Sequence, residues 1–362
     1  MKILFITRSF PPREGGLERV AFSLYTYFSK REEVILIKWS GGKKGLFFIL
    51  PVFLFKAFWI LIQKDIDVIY LNEGFMSIIG IFLKIFRKSV VLTVHGLDIT
   101  FSNFFYQCVI PRCISLLDKV ICISRNTQKE CINRGIPAHK IVVIPDGFTD
   151  EFLIQKDRTY LRESIGKKFS IDLNHKQIIL SVCRLVKRKG IHWFVQEVMP
   201  LIAKDSPECV YLVAGEGPFR SIVENSIKSQ SLEDRVFLLG RIDDDTLKIL
   251  YNVADIFVMP NIPVEGDIEG FGVVLLEAAS CKLPIVASSL EGIKDALLDG
   301  AAGVLVPPGN KIEFKDKIVE FLRDSQKREK TGEEARNLVI KHFSWDRIAD
   351  KYLNVLGELI KR

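Results

Sequence analysis

The sequence predicts an α/β protein of two doubly wound domains facing a cleft, and three observations carry that prediction. Apolar runs of strand length alternate with helical patterns twice along the chain. A polar, charged stretch at 150–175, poor in strand signals, separates the two series. The apolar fraction, 48% of 362 residues, suffices for two cores. No internal repeat of solenoid period competes with this reading. The boundaries read as residues 1–165, 166–343 and a terminal amphipathic helix, 344–362.

Charge divides the halves. Residues 1–165 hold 23 Lys+Arg against 15 Asp+Glu, whereas 166–362 hold 28 against 29. A basic first half points to an anionic partner such as a phosphate or an acidic membrane. Nucleic acid ranks last among such partners, because no dense basic run interleaved with aromatics is present, and no nucleic-acid partner is expected. The seven cysteines form no C-x-x-C pair and read as reduced, cytosolic thiols. The amino-terminal apolar run is too short for a signal peptide.

Residues 2–7 form the first buried strand. The loop R-S-F-P-P-R-E-G-G-L-E-R follows (8–19), then a helix over about 17–28. Gly15 and Gly16 before that helix let backbone N–H groups approach a phosphate or sugar oxygen, or simply make a strand-to-helix turn. Residues 46–62 are the most hydrophobic stretch, broken by Pro51 and Lys56 and flanked by Lys43, Lys44 and Lys64. They predict a helix lying on or dipping into an anionic membrane face, with a buried core helix as the alternative. A second apolar-basic stretch, 75–88, supports the membrane reading. Residues 67–72 and 90–94 are strands. His95 and Asp98 follow the second, at the carboxyl end where open sheets bind ligands. A helix is expected over 101–117, strands over 119–124 and 140–144, then a Pro-Asp-Gly turn.

The second series opens with a strand at 177–182. Arg184, Lys187, Arg188 and Lys189 crowd after it, a cationic loop suited to a diphosphate. Strands follow at 210–214 and 235–241. Asp243, Asp244 and Asp245 read as the N-cap and first turn of a helix over 246–254. A strand at 256–260 leads to E-G-F-G-V-V-L-L-E (269–277), in which Gly270 and Gly272 permit a tight turn. A buried helix over 273–281 offers free N–H groups from Val273 onward. Glu277 lies a little over one turn inside it, where a carboxylate among aliphatic neighbours requires a partner. Glu269 and Glu277 suit the hydroxyls of a sugar or ribose. Taken singly, each could be an ordinary surface charge.

In motif order, this chain resembles the retaining glycosyltransferases of family four, which have the GT-B fold of two Rossmann-like domains. The motifs are P-P-R-E-G-G-L-E, V-H-G-L-D, V-I-P-D-G-F, S-V-C-R-L-V-K-R-K-G, V-A-G-E-G-P and I-E-G-F-G-V-V-L-L-E-A-A-S. The resemblance implies that Arg184 and Lys189 bind the donor diphosphate and that Glu277 grips the ribose. Glu269 would face the donor sugar, near the Phe271–Gly272 backbone. Gly15 and Gly16 would lie by the diphosphate, and His95 would line the sugar pocket. The tail helix would return to the first domain. It implies a nucleoside-diphosphate sugar as co-substrate, with no cofactor and no metal. The acceptor would be lipid-linked or a saccharide, in cell-surface glycan assembly on the cytoplasmic membrane face. Two departures stand out: Asp146 replaces the usual Asn before Gly147, and Glu291 to Asp295 reads E-G-I-K-D in place of Gly-Gly-x-x-Glu. Competing readings are a glycoside-cleaving enzyme using Glu269 and Glu277, which leaves Arg184 and Lys189 idle, and a catalytically silent nucleotide-sugar-binding scaffold.

Overall fold

The computed structural model describes residues 1–12, 15–39 and 46–360, the side chains of 46–48 excepted. Arg13 and Glu14 of the glycine loop, and Lys43 and Lys44 before the apolar stretch, lie outside the described residues. The chain divides into two compact units. One comprises Met1–Gly147, Gly266–Phe271 and Trp345–Arg362, and the other Phe148–Glu265 and Gly272–Ser344.

Among the described residues, the first unit is built on six strands: β1 (Lys2–Thr7), β2 (Glu33–Lys38), β3 (Val68–Leu71), β4 (Ser89–Val94), β5 (Lys119–Cys122) and β6 (Ile141–Val143). All pair in parallel, in the order β2-β1-β3-β4-β5-β6. The direction of strand addition reverses at β1, so the crevice beyond β1 and β3 is a ligand position of open α/β sheets. Alternate residues serve opposite faces. Ile3 and Phe5 pack with Val20, Leu24, Phe28 and Tyr352. Leu4 and Ile6 pack on the other side with Ile49, Phe53 and Ala57. The tail helix, Trp345–Ile360, is therefore a core element of this unit, buried along Ile348, Tyr352 and Leu356.

The apolar stretch forms helix Leu46–Gln63, with Pro51 inside it. The helix has one buried and one exposed apolar face, and its packing into the core matches the alternative reading. Ile49, Phe53 and Ala57 are buried in the core, while Val52, Phe55, Trp59 and Ile62 are exposed. No described helix is long and apolar enough to cross a membrane. The helix expected over 101–117 starts later, and a separate turn precedes it. Leu97–Thr100 forms that turn and Phe104–Ser115 the helix. The late start is set by Asn103, whose side chain accepts the Tyr106 N–H.

The second unit carries β7 (Gln177–Val182), β8 (Cys209–Ala214), β9 (Val236–Gly240), β10 (Ile256–Met259), β11 (Ile285–Ser288) and β12 (Val304–Val306). They pair in parallel in the order β12-β11-β10-β7-β8-β9, so this sheet reverses between β7 and β10. The stretch 150–175 is not merely a connection, because it contains helix Arg158–Phe169. Asp157 caps it, and Leu161 and Ile165 bury one side. Arg158 and Arg162 both bond the buried Asp255 carboxylate, at 2.9 Å each. Asp243 caps helix Asp244–Val253 through the Thr246 N–H at 2.7 Å. That hydrogen bond and Lys168 hold its carboxyl below the usual range.

Candidate functional site

Within each unit, residues picked from the sequence lie on loops that follow strands of that unit's sheet. In the second unit, the loop after β7 leads from exposed Arg184 into a tight turn, Lys187–Lys189. Lys189 is buried there, although its neighbours on this turn are Lys187 and Arg188. Gly190 ends the turn at φ +64, and a Cβ on it would lie 2.0 Å from the Pro260 carbonyl oxygen. The Ile262 N–H donates to the Arg188 carbonyl at 2.9 Å. The cationic turn after β7 is thus fastened to the chain leaving β10, across the point where strand order reverses.

The glycine-rich turn after β8 explains itself in the same way. A Cβ on Gly215 would stand 1.9 Å from the Cys183 carbonyl oxygen, and one on Gly217 2.2 Å from that of Leu185. The Leu185 N–H donates to the Glu216 carbonyl at 3.0 Å. These glycines let two loops lie flat together and so set the path of the chain through Arg184.

Gly272 adopts the left-handed conformation, φ +94, and helix Val273–Ser280 begins immediately after it without a side-chain cap. The first N–H groups of a helix lack intrahelical partners and favour anions. Glu277 is only 7% exposed. Its carboxylate accepts the Tyr251 hydroxyl at 2.8 Å, the partner that its burial requires. Nothing in the sequence announces Tyr251, which lies 26 positions away on another helix.

The E-x₇-E stretch is divided. Glu269, Gly270 and Phe271 cluster with the first unit, and Gly272, Val273 and Glu277 with the second. Glu269 and Phe271 are buried. A Cβ on Gly270 would meet the His95 carbonyl oxygen at 2.3 Å, and one on Gly96 the Gly270 Cα at 3.0 Å. Two glycines thus allow backbone contact between H-G and E-G-F.

His95 is half-buried at the end of β4. Its ring Nε2 lies 2.8 Å from the Asn72 carbonyl oxygen. That oxygen can only accept, so Nε2 carries the proton and a neutral ring keeps Nδ1 as an acceptor. Asp98 fixes the turn by accepting the His95 N–H at 2.8 Å and the Gly74 N–H at 2.9 Å. Asp146, where the usual residue is Asn, is buried. Burial pushes its carboxyl up, and the nearby His95 partly offsets this.

Gly15 and Gly16 open helix Gly16–Ser29 and are both exposed. A Cβ on Gly15 would meet the Glu18 Oε2 at 2.3 Å, whereas Gly16 has nothing within 4 Å. The Glu18 carboxylate is the end of a flexible side chain that can swing aside, so neither glycine is sterically required. Sequence reasoning also missed Arg8 and Glu73, an ion pair beside this loop. The only signal available was their position, each just past the carboxyl end of a strand.

Known proteins match the chain over most of its length. Residues 14–152 match the domain described as Glycosyltransferase Family 4, and 165–338 that described as Glycosyl transferases group 1. An uncharacterized glycosyltransferase of Methanocaldococcus jannaschii is 28% identical over 303 residues, 80% of this chain and 74% of that one. A GDP-mannose-dependent alpha-(1-6)-phosphatidylinositol monomannoside mannosyltransferase of Mycolicibacterium smegmatis is 22% identical over 370 residues, 95% of each chain. The crystal structure of Anabaena HepE in complex with UDP and glucose superposes with a TM-score of 0.78 at 21% identity, covering 99% of this chain and 100% of that one. With two parallel sheets, each reversing direction beside these residues, the chain belongs to the family-four glycosyltransferases and has their GT-B fold.

Proposed function

We propose that the protein moves a sugar from a nucleoside-diphosphate sugar to a lipid-linked or saccharide acceptor, with retention of anomeric configuration and without a metal ion. The observation that carries this reading is the buried Glu277, held by Tyr251 one turn inside a helix that starts at a left-handed glycine. A carboxylate so fixed suits the paired hydroxyls of a ribose. Arg184 and Lys189 take the diphosphate, helped by the first N–H groups of the helix beginning at Val273. Departure of the nucleotide concentrates negative charge on that diphosphate, and fixed cations and N–H groups lower the barrier because they need not reorganise. Glu269 and the Gly270–Gly272 backbone position the donor sugar, with His95 lining its pocket and Gly15 and Gly16 near the diphosphate. No covalent step is assigned to Glu269. The mycobacterial relative's name, which includes a phosphatidylinositol mannoside, and the UDP and glucose of the Anabaena structure support this substrate class.

The site of action is the cytoplasmic face of a membrane. Helix Leu46–Gln63 presents Phe55 and Trp59 outward beside Lys56, a combination suited to an anionic lipid interface. The test is incubation with UDP-glucose, UDP-N-acetylglucosamine or GDP-mannose plus a membrane lipid extract, following nucleoside-diphosphate release and product anomers by proton NMR. Release with an axial-configured product from an axial donor is expected. An inverted product overturns retention, and no release from any donor by folded protein overturns the transferase reading.

A further inference from the structure

In the first unit, Arg8 follows β1 and Glu73 follows β3, the two strands at which the sheet reverses. Glu73 is fully buried. Its carboxylate accepts the Arg8 backbone N–H at 2.8 Å and the Arg8 Nε–H at 2.5 Å, with Ser9 Oγ at 3.4 Å. The guanidinium lies over the Phe75 ring, 5.1 Å from its centre. The fork is therefore locked through its backbone and Nε. Its two terminal nitrogens make no hydrogen bond among the described residues, and the side chain is 28% exposed. The Asp98 carboxylate and Tyr106 lie within electrostatic reach, but Asp98 is committed to the backbone of His95 and Gly74.

Tyr106 leads from this fork to an apolar shelf. Its ring packs edge-on against Phe101 at 5.3 Å. Phe101, Leu97 and Val109 are exposed, and Phe104 and Phe105 are 75% and 76% exposed. Aromatic side chains this open and this close together mark a surface that receives something apolar. The charges beside it decide what the head of that ligand is. Glu73 already neutralises Arg8, and Asp98 adds a further negative charge nearby. The fork therefore offers N–H donors without net positive charge, which favours neutral oxygens over a phosphate.

We infer that this corner binds a glycolipid acceptor, with sugar hydroxyls on the terminal nitrogens of Arg8 and the alkyl chain on the shelf of Leu97, Phe101, Phe104, Phe105 and Val109. The inference rests on the transferase reading and narrows its acceptor to a glycoside with an apolar tail.

The test is saturation-transfer NMR on the full chain with octyl glucoside, octyl mannoside and octyl galactoside below micelle formation, against the methyl glycosides and octyl phosphate. At least one octyl glycoside should bind about tenfold or more better than its methyl counterpart and than octyl phosphate. Phe104→Ser with Phe105→Ser should remove the chain signals. Arg8→Gln with Glu73→Gln, which removes both charges together, should weaken the ring signals. Phe55→Ser with Trp59→Ser, on another exposed apolar face, should keep both. Preference for octyl phosphate, no gain from the chain, or loss only in the Phe55/Trp59 variant overturns the inference. So does a dimer that Phe104→Ser with Phe105→Ser dissociates, because the shelf would then serve a second copy. Melting shifts with UDP or GDP are recorded in parallel. Nucleotide binding without glycoside binding sinks this inference alone, and absence of both sinks the transferase reading.

Discussion

Replacing Gly190 by Ala tests whether the cationic turn is held by close backbone contact. Two costs apply at this position. A left-handed conformation costs a residue with a Cβ about 1–2 kcal/mol, and φ here is +64. The new methyl would also lie 2.0 Å from the Pro260 carbonyl oxygen, a backbone atom that cannot swing aside. Overpacking of this kind costs about 1–3 kcal/mol more. Gly309 isolates the first cost, because its φ is +79 and nothing lies within 4 Å of an added Cβ. For a unit of about 200 residues each kcal/mol moves Tm by about 2–4 °C. Gly309→Ala should melt about 2–8 °C below wild type, and Gly190→Ala at least about 2 °C lower again. Calorimetric titration gives the second readout. Gly190→Ala moves the turn that carries Lys189 and should weaken nucleoside-diphosphate binding about tenfold, while Gly309→Ala leaves it unchanged. Equal melting and equal nucleotide affinity in the two variants would refute the reasoning.

Other consequences follow from single contacts. Tyr251→Phe removes the hydroxyl 2.8 Å from the Glu277 carboxylate, which should cost about 1.5–3 kcal/mol of stability; an unchanged melting curve would show that the bond carries no weight. Burial pushes the Asp146 carboxyl up, so the folded state holds this proton more tightly than the unfolded one. That contribution is complete below the unfolded carboxylate value near 3.9 and is lost as pH rises through the raised folded value. Asp146→Asn should therefore gain stability over wild type at pH 7–8, with the gap closing toward pH 4; a gap independent of pH contradicts this. Phe55→Ser with Trp59→Ser should cut co-sedimentation with phosphatidylglycerol vesicles about tenfold or more, since each aromatic contributes about 1.5–3 kcal/mol when taken from water. Undiminished sedimentation would remove the helix from the membrane account.

Much of the fold is legible because buried parallel strands are continuous apolar runs. β3, V-I-Y-L, is buried at every position and is recognisable alone. Helix Arg158–Phe169 is not, because only Leu161 and Ile165 are buried and its hold on the unit is ionic, through Asp255. The late helix start at Phe104 is set by Asn103, a cap that the sequence does carry. In the site, Arg184, Lys189 and Glu277 stand out as charges among apolar runs after strands. Tyr251 does not, because its role depends on how two helices meet. Arg8 and Glu73 are 65 positions apart and meet only because β3 adds to β1 on the side opposite β2. Strand order is a property of the assembled sheet, and local pattern does not carry it.

The most direct test is a thermal titration of the purified protein with UDP, GDP, ADP and CMP, alongside Glu277→Ala and Lys189→Ala. A ligand at a hundred times its dissociation constant stabilises by about 2.7 kcal/mol, a readily measured melting shift. The account predicts a shift with one nucleoside diphosphate, lost or strongly reduced in both variants. A folded wild type that responds to no nucleotide, or variants that respond as wild type does, would contradict it.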